Sequence, residues 1–391
     1  MIAPDELRGL VAEVLPTVTE LRRAIHRSPE LAFEEFATTA RVAAVLADRG
    51  LDPRVREEGA GLVVEVGRGE RMVGFRADLD ALPIAEPADN PYSSQIPGVM
   101  HACGHDAHTA IATGIALVLA GLELPGRVRF VFQPGEESFP GGALTMVRER
   151  VTEGMAAIVA FHVDPSLLTG HLGLRTGAIT GSADRFSIVL EGPGGHTARP
   201  HRSVDLINAA GRLVTDLPAI LDRTIDARRP VAVVFGQIGG GSAPNVIPTR
   251  VEMTGTVRTT DRGLWDEMPL LMEALAGQIV APLGAKVSVE YVRGIPPVLN
   301  DPGVIDVART AVAEYLGPQA VASTPVSMGA EDFSRYLERV PGALIRLGSA
   351  SPHGVTDLHS AGFVFDEEAL AAGLTAGSAT LLRLLTFGSG A

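Results

Sequence analysis

The chain has one cysteine, one lysine and no uninterrupted apolar run of the length that spans a membrane. A lone Cys103 excludes an intrachain disulfide, so nothing points to an oxidising compartment. It reads instead as a metal ligand, a nucleophile or a core residue. The longest apolar stretch, inside Ala110 to Leu122, falls short of the roughly 20 residues that a transmembrane helix needs. Met1 to Glu6 has neither the basic start nor the apolar core of a secretory signal, and a cytoplasmic protein with no membrane partner is expected. Positive charge is also scarce. Lys and Arg number 33 against 46 Asp and Glu, a formal net charge of −13. That balance argues against nucleic acid or an anionic membrane as partner. It says little about a small anionic substrate, which responds to local charge. Lys286 as the sole lysine reflects compositional bias and is given no function.

What is present is an ordinary globular composition, 46% hydrophobic and 20% charged over 391 residues, enough for two domains. Helical periodicity runs over Glu6 to His26 and Glu34 to Asp48. Strands are expected at Gly61 to Val66, Met72 to Phe75, Val128 to Phe132 and Ala157 to Phe161, alternating with helices at Thr109 to Leu122 and around Ala143 to Arg150. This alternation predicts an α/β fold with a mixed, largely parallel sheet flanked by helices. The pattern changes near Thr176 to Ser182. From there to Val292, strands and helices form what reads as a smaller inserted α/β sandwich, with Gly294 to Pro297 as the return linker. The expected division is 1–180 with 293–391 as one domain and 181–292 as the other.

The densest chemistry lies in His101-Ala102-Cys103-Gly104-His105-Asp106-Ala107-His108. A thiol and an imidazole two positions apart suit a borderline cation. The same residues also fit a polar helix N-terminus, with Asp106 as its cap and the histidines at the surface. Other strong polar residues fall at strand ends: Asp78, Asp80, Glu136, Glu137 and His162. In open α/β sheets that edge is where sites assemble. Adding His359 from a late loop yields a set suited to a two-metal hydrolase, in which Cys103, His105, Glu137, His162 and His359 supply five ligands and some group serves both cations. Adjacent carboxylates point in different directions. One of the Glu136-Glu137 pair can therefore bind a cation while the other moves a proton.

Several motifs occur together and in order: Arg22 to Leu31, Phe75 to Ile84, Met100 to Thr109, Phe132 to Glu137, Gly192 to His201, Asn245 to Pro248 and Met328 to Phe333. The ordered set resembles the amidohydrolase branch of the aminoacylase/carboxypeptidase dinuclear metallopeptidases, which includes hippurate hydrolases and auxin-conjugate hydrolases. The resemblance covers nearly the whole chain. It implies a catalytic domain holding two divalent metal ions (Zn²⁺ or Mn²⁺, with Co²⁺ or Ni²⁺ as further options) and an inserted lid domain through which a homodimer forms. It further implies Cys103, His105, Glu137, His162 and His359 as metal ligands and Glu136 as general base. His196 is implied to cross the dimer and donate a hydrogen bond to the oxyanion, with Asn245 contacting the substrate. Arg258 is a candidate for pairing with a substrate carboxylate, or a surface arginine. Better-known branches carry a His-x-Asp motif where this chain has Asp78-Leu79-Asp80, so Asp78 and Asp80 are expected as supporting residues that orient ligands, or as strand-end caps. His26, His171 and His353 are expected to be structural, and His101, His108 and His201 receive no role.

The expected activity is hydrolysis of the amide bond of an N-acyl amino acid, with acetyl, benzoyl and arylacyl groups all open. A dipeptidase or carboxypeptidase, or an N-acetyldiaminopimelate deacetylase, would use the same parts. A cysteine-nucleophile hydrolase built on Cys103 would leave Glu137, His162 and His359 unexplained. A catalytically silent binding protein would have no need of the full ligand set.

Overall fold

The computed structural model describes residues 2–88, 91–350 and 356–387. The chain divides into two compact units. The first is Met1–Gly177, Leu299–Pro325 and Asp332–Ala391, and the second is Ala178–Val298 with Val326–Glu331.

The first unit is an eight-stranded mixed sheet flanked by helices. Its centre is parallel: Arg127–Gln133, Met72–Asp78, Met155–Leu168 and Gly342–Ala350 lie side by side in that order. Met72–Asp78 is buried along its whole length, as a strand covered on both faces must be. Leu62–Gly67 adds antiparallel and alternates buried with part-buried residues, the pattern of a strand nearer an edge.

Helix α1 (Pro4–Arg27) buries Leu7, Val11, Val14, Val18, Leu21 and Ile25, an i, i+3/i+4 stripe that faces the core. Helix α2 (Phe36–Ala47) follows. Helix α3 (His105–Ala120) is buried throughout except at its last residue. Gly114 lets it approach its neighbours closely, since a Cβ there would lie 2.4 Å from Leu374 and 2.5 Å from Val18. Leu374 belongs to the last helix, Ala369–Thr386, which is long and apolar enough to cross a membrane; 83% of it is buried in the fold, as a core helix would be.

Two expectations change here. Helix α3 begins four residues before Thr109, because Gly104 caps it in a left-handed turn (φ 80°) that brings the helix start forward. His105, Asp106 and His108 therefore lie on its first turns, buried, and Asp106 is not the cap. The strand expected to stop at Phe161 runs on to Leu168. Its pairing with Met72–Asp78 ends at Arg76↔Ala160, so His162 still emerges level with the end of that neighbour.

His26 is structural, as expected, and its partners come from distant parts of the chain. Its Nδ1 lies 2.8 Å from Asp106 Oδ2 and its Nε2 3.1 Å from Glu86 Oε1, while Arg22 Nε meets the same Asp106 oxygen at 2.7 Å. Burial opposes charge on His26, but the Asp106 carboxylate and the hydrogen bonds to Asp106 and Glu86 outweigh it and hold the pKa above the ordinary value. The folded state thus binds this proton more tightly than the unfolded chain. The resulting stability is full below about pH 6.5 and fades as pH rises through the folded value. Thermal melts between about pH 6 and pH 9 should show this loss, and His26→Gln should flatten it. His171 is half-buried, its ring beside Leu168 O, and His353 lies outside the described residues.

The second unit is a four-stranded antiparallel sheet in the order Val231–Gly240, Arg250–Thr259, Ala183–Glu191, Lys286–Ile295. Helices Leu206–Thr224 and Arg262–Val280 pack on it around Leu213, Leu217, Met253, Met268 and Met272. Asp205 and Asp261 cap these helices by accepting from the backbone N–H three residues on.

Candidate metal centre

Gly104 shapes the core of the site. A Cβ there would stand 2.5 Å from Val163, so only glycine allows Cys103 and His105 to flank a turn pressed against the strand that carries His162. Cys103 Sγ lies 3.6 Å from His162 Nε2. His359 arrives from far along the chain, and its N–H donates to Ala102 O at 2.9 Å. It does so in a left-handed conformation (φ 57°), which costs a non-glycine residue about 1–3 kcal/mol. Its Nε2 then lies 3.0 Å from Glu137 Oε1.

The donor atoms fall into two triads, Cys103–His105–His162 and Cys103–Glu137–His359, each with its atoms within 4.8 Å of one another. Cys103 belongs to both. The thiol is thus a candidate for the group serving both cations, and no local pattern in the sequence signals this. Glu136 joins His105 and Glu137 in a further group of the same dimensions.

Neighbouring groups set which atom each candidate ligand presents. His105 Nδ1 donates to Asp80, 2.8 Å from the carbonyl and 3.2 Å from Oδ1, leaving Nε2 buried and, among the described residues, without a hydrogen-bond partner. His162 Nδ1 donates to Val163 O at 2.8 Å, and its Nε2 faces the thiol. Asp80 Oδ2 accepts the Glu137 N–H at 2.8 Å. One carboxylate therefore orients two candidate ligands, as carboxylates behind metal-binding histidines do.

His108, left without a role by the sequence, has both ring nitrogens engaged. Val163 N–H donates to Nε2 at 2.9 Å, so Nδ1 carries the proton and donates to Asp78 Oδ1 at 2.7 Å. It holds the backbone beside His162 and is not available as a ligand. Asp78 also receives Arg76, which reaches on to Asp332, all fully buried. His101 is buried, and neither ring nitrogen is hydrogen-bonded among the described residues.

The electrostatics suit a cation. Burial, reinforced by Arg346, holds His162 well below its usual pKa, so its imidazole is neutral. Burial also pushes the Cys103 thiol up to about 12. At His105 burial lowers the pKa, yet Asp78 and Cys103 overcome it and the net shift is well upward. A position that draws a proton onto this ring, whose Nε2 lies 3.8 Å from Asp78 Oδ2, equally draws a cation. Sulfur, nitrogen and oxygen donors in this mixture fit two borderline divalent ions.

In the second unit, His196 pairs with Val246 in a short antiparallel ladder between segments distant in sequence, next to Asn245, whose carbonyl accepts from Thr197. Ala198 N–H donates to His196 Nδ1 at 3.0 Å, so Nε2 carries the proton on an exposed ring. Arg258 donates to Met328 O at 2.8 Å. His201 lies exposed on a single short turn, Pro200–Arg202.

A parallel-centred α/β unit with two donor triads meeting at its sheet edge is the architecture of a two-metal hydrolase. The chain belongs to peptidase family M20/M25/M40, whose family model matches residues 74–383. It is 37% identical over 358 residues to an N-acetylcysteine deacetylase of Bacillus subtilis, covering 90% of this chain and 92% of that one. A solved Bacillus subtilis structure described as a dinuclear metal-binding peptidase of the M20 family superposes with a TM-score of 0.85 at 32% identity, covering 96% of this chain and 99% of that one. The chain also matches a Rhodococcus jostii protein named as a glutamate–cysteine ligase, at 44% identity over 361 residues, but spans only 45% of that longer protein and 91% of itself. The chain is a metal-dependent hydrolase of amide bonds.

Proposed function

We propose that the protein hydrolyses N-acyl amino acids, releasing a carboxylic acid and a free amino acid. The observation that carries this reading is the pair of triads sharing Cys103 with Glu136 beside them. In this reading Cys103, His105, Glu137, His162 and His359 hold two divalent ions, zinc or manganese first, with cobalt or nickel as substitutes. The bound pair supplies polarisation of the scissile carbonyl and a lowered pKa for the attacking water. Glu136 takes the proton of that water and returns it to the leaving nitrogen. His196 donates its Nε2–H to the oxyanion, a contribution of about 3–4 kcal/mol where such donors have been removed. Asn245 and Arg258 contact the substrate, Arg258 by pairing with its carboxylate. Asp80 orients His105 and Glu137, and Asp78 holds His108.

The domain roles follow the same reading: the first unit is catalytic, and the second is a lid that also forms a homodimer. Supporting the dimer, Val231–Gly240 is a sheet edge that exposes Val234 and Ile238, and Ile207 and Leu270 are exposed on the two helices of that unit. His196 then serves the partner subunit's centre. A cytoplasmic location belongs to the same proposal.

The test is a panel of N-acetyl, N-benzoyl and N-indoleacetyl amino acids assayed after loading with each of the four metals. Chelation should abolish activity and metal should restore it. Turnover indifferent to chelation would sink this reading in favour of a Cys103 nucleophile. Hydrolysis of dipeptides alone would move the substrate class.

A further inference from the structure

The segment between α1 and α2 is built around two glutamates, and their division of labour is unusual. Glu35 occupies the N-cap position of α2, yet its side chain makes no capping bond. Glu30 caps the helix instead, accepting from Ala37 N–H at 2.9 Å and Thr38 N–H at 2.7 Å. Glu35 is left for another purpose. Its carboxyl is fully buried and its Oε1 accepts the Gly135 N–H at 2.8 Å. Among the described residues Oε2, also buried, makes no hydrogen bond, a cost that a merely structural carboxylate would not need to carry.

Gly135 precedes Glu136 and has a left-handed backbone (φ 65°). A Cβ on it would lie 2.6 Å from the Phe33 ring. Phe33 is itself left-handed (φ 67°), so the 29–35 segment bends to lay this ring and the Glu35 carboxyl against one residue. On the other side, Asp80 takes the Glu137 N–H. Two carboxylates from separate elements thus pin the backbone immediately before and after Glu136.

We infer that Glu35 is a positioning residue for catalysis, fixing the turn that aims Glu136 at the reacting water by holding the Gly135 N–H. This rests on the reading of Glu136 as general base. An acceptor at that place does the work whether or not it carries charge, so Glu35→Gln should preserve it and Glu35→Ala should not.

The test uses the metal-loaded enzyme and the N-acetyl amino acid hydrolysed fastest in the panel. Glu35→Ala should lower kcat about 10- to 100-fold, the scale of a misplacement near 1 Å, with KM little changed and both metals retained. Glu35→Gln should recover most of the rate. The double variant Glu35→Ala/Glu136→Gln should be no slower than Glu136→Gln alone, because Glu35 acts through Glu136. Wild-type kcat in Glu35→Ala, failure of Glu35→Gln to recover, a further loss in the double variant, or loss of metal in parallel with rate would each overturn the inference. Should Glu35→Ala not fold, Glu35→Asp, which withdraws the acceptor by one methylene, must be slower than Glu35→Gln; equal rates would overturn it. If Glu136→Gln itself turns over normally, the reading of the base falls and this inference with it. An inactive Glu136→Gln beside a normal Glu35→Ala removes the inference alone.

Discussion

Glu136→Gln is expected to keep both metal ions and lose turnover by about 10²- to 10⁴-fold, the span attributed to a positioned general base. The substitution conserves size and removes the ability to accept a proton. Glu136 is 8% exposed and sits beside Glu137, the other carboxylate of the pair, which faces His359. The two glutamates should therefore separate in a metal assay. Glu137→Gln should lose one ion and Glu136→Gln none. An empty Glu136→Gln protein would make Glu136 a ligand and require another base. The same variant tests the shared site. Mixed with His196→Ala subunits, it should regain part of the activity, because one centre in each mixed dimer then has both an intact Glu136 and a partner His196. No recovery in confirmed mixed dimers would confine His196 to its own subunit.

Cys103→Ala is expected to have the largest effect on metal content. Its sulfur is common to both triads, so its loss weakens both positions at once, whereas His162→Ala and His359→Ala each weaken one. Elemental analysis after dialysis should find both ions lost in Cys103→Ala and one lost in each histidine variant. Activity should fall on the order of 10³-fold, comparable to losing a main electrostatic stabiliser of the transition state. A Cys103→Ala protein that keeps one full equivalent would show that the thiol serves a single ion. The thiol also predicts a pH trend. Burial pushes it up to about 12, so binding a metal must displace its proton, and apparent metal affinity should rise with pH.

Much of the candidate site was legible as a list. Cys103 and His105 stood out by their density, and Glu136, Glu137 and His162 by where strands end. These are local properties, because alternation of strand and helix already directs strand C-termini to one edge. The fold class followed from the same alternation. Helix starts were less legible. Thr109 looked like the beginning of α3 because apolar residues begin there, whereas the polar residues before it are buried by partners distant in sequence. The partners of His26 were hidden for the same reason, since Asp106 lies 80 residues away.

By itself, then, the sequence determined the class of sheet, the pool of candidate donors and the family resemblance, since each depends on residue type and short-range order. Only the tertiary structure decided how the pool is divided. It made Cys103 common to both triads, committed both nitrogens of His108 to Val163 and Asp78, and turned Glu35 away from its own helix towards Gly135. A ligand needs a lone pair aimed at a point in space. Which atom is aimed there depends on the hydrogen bonds its other atoms make, and those partners come from strands and loops that meet only when the chain is folded.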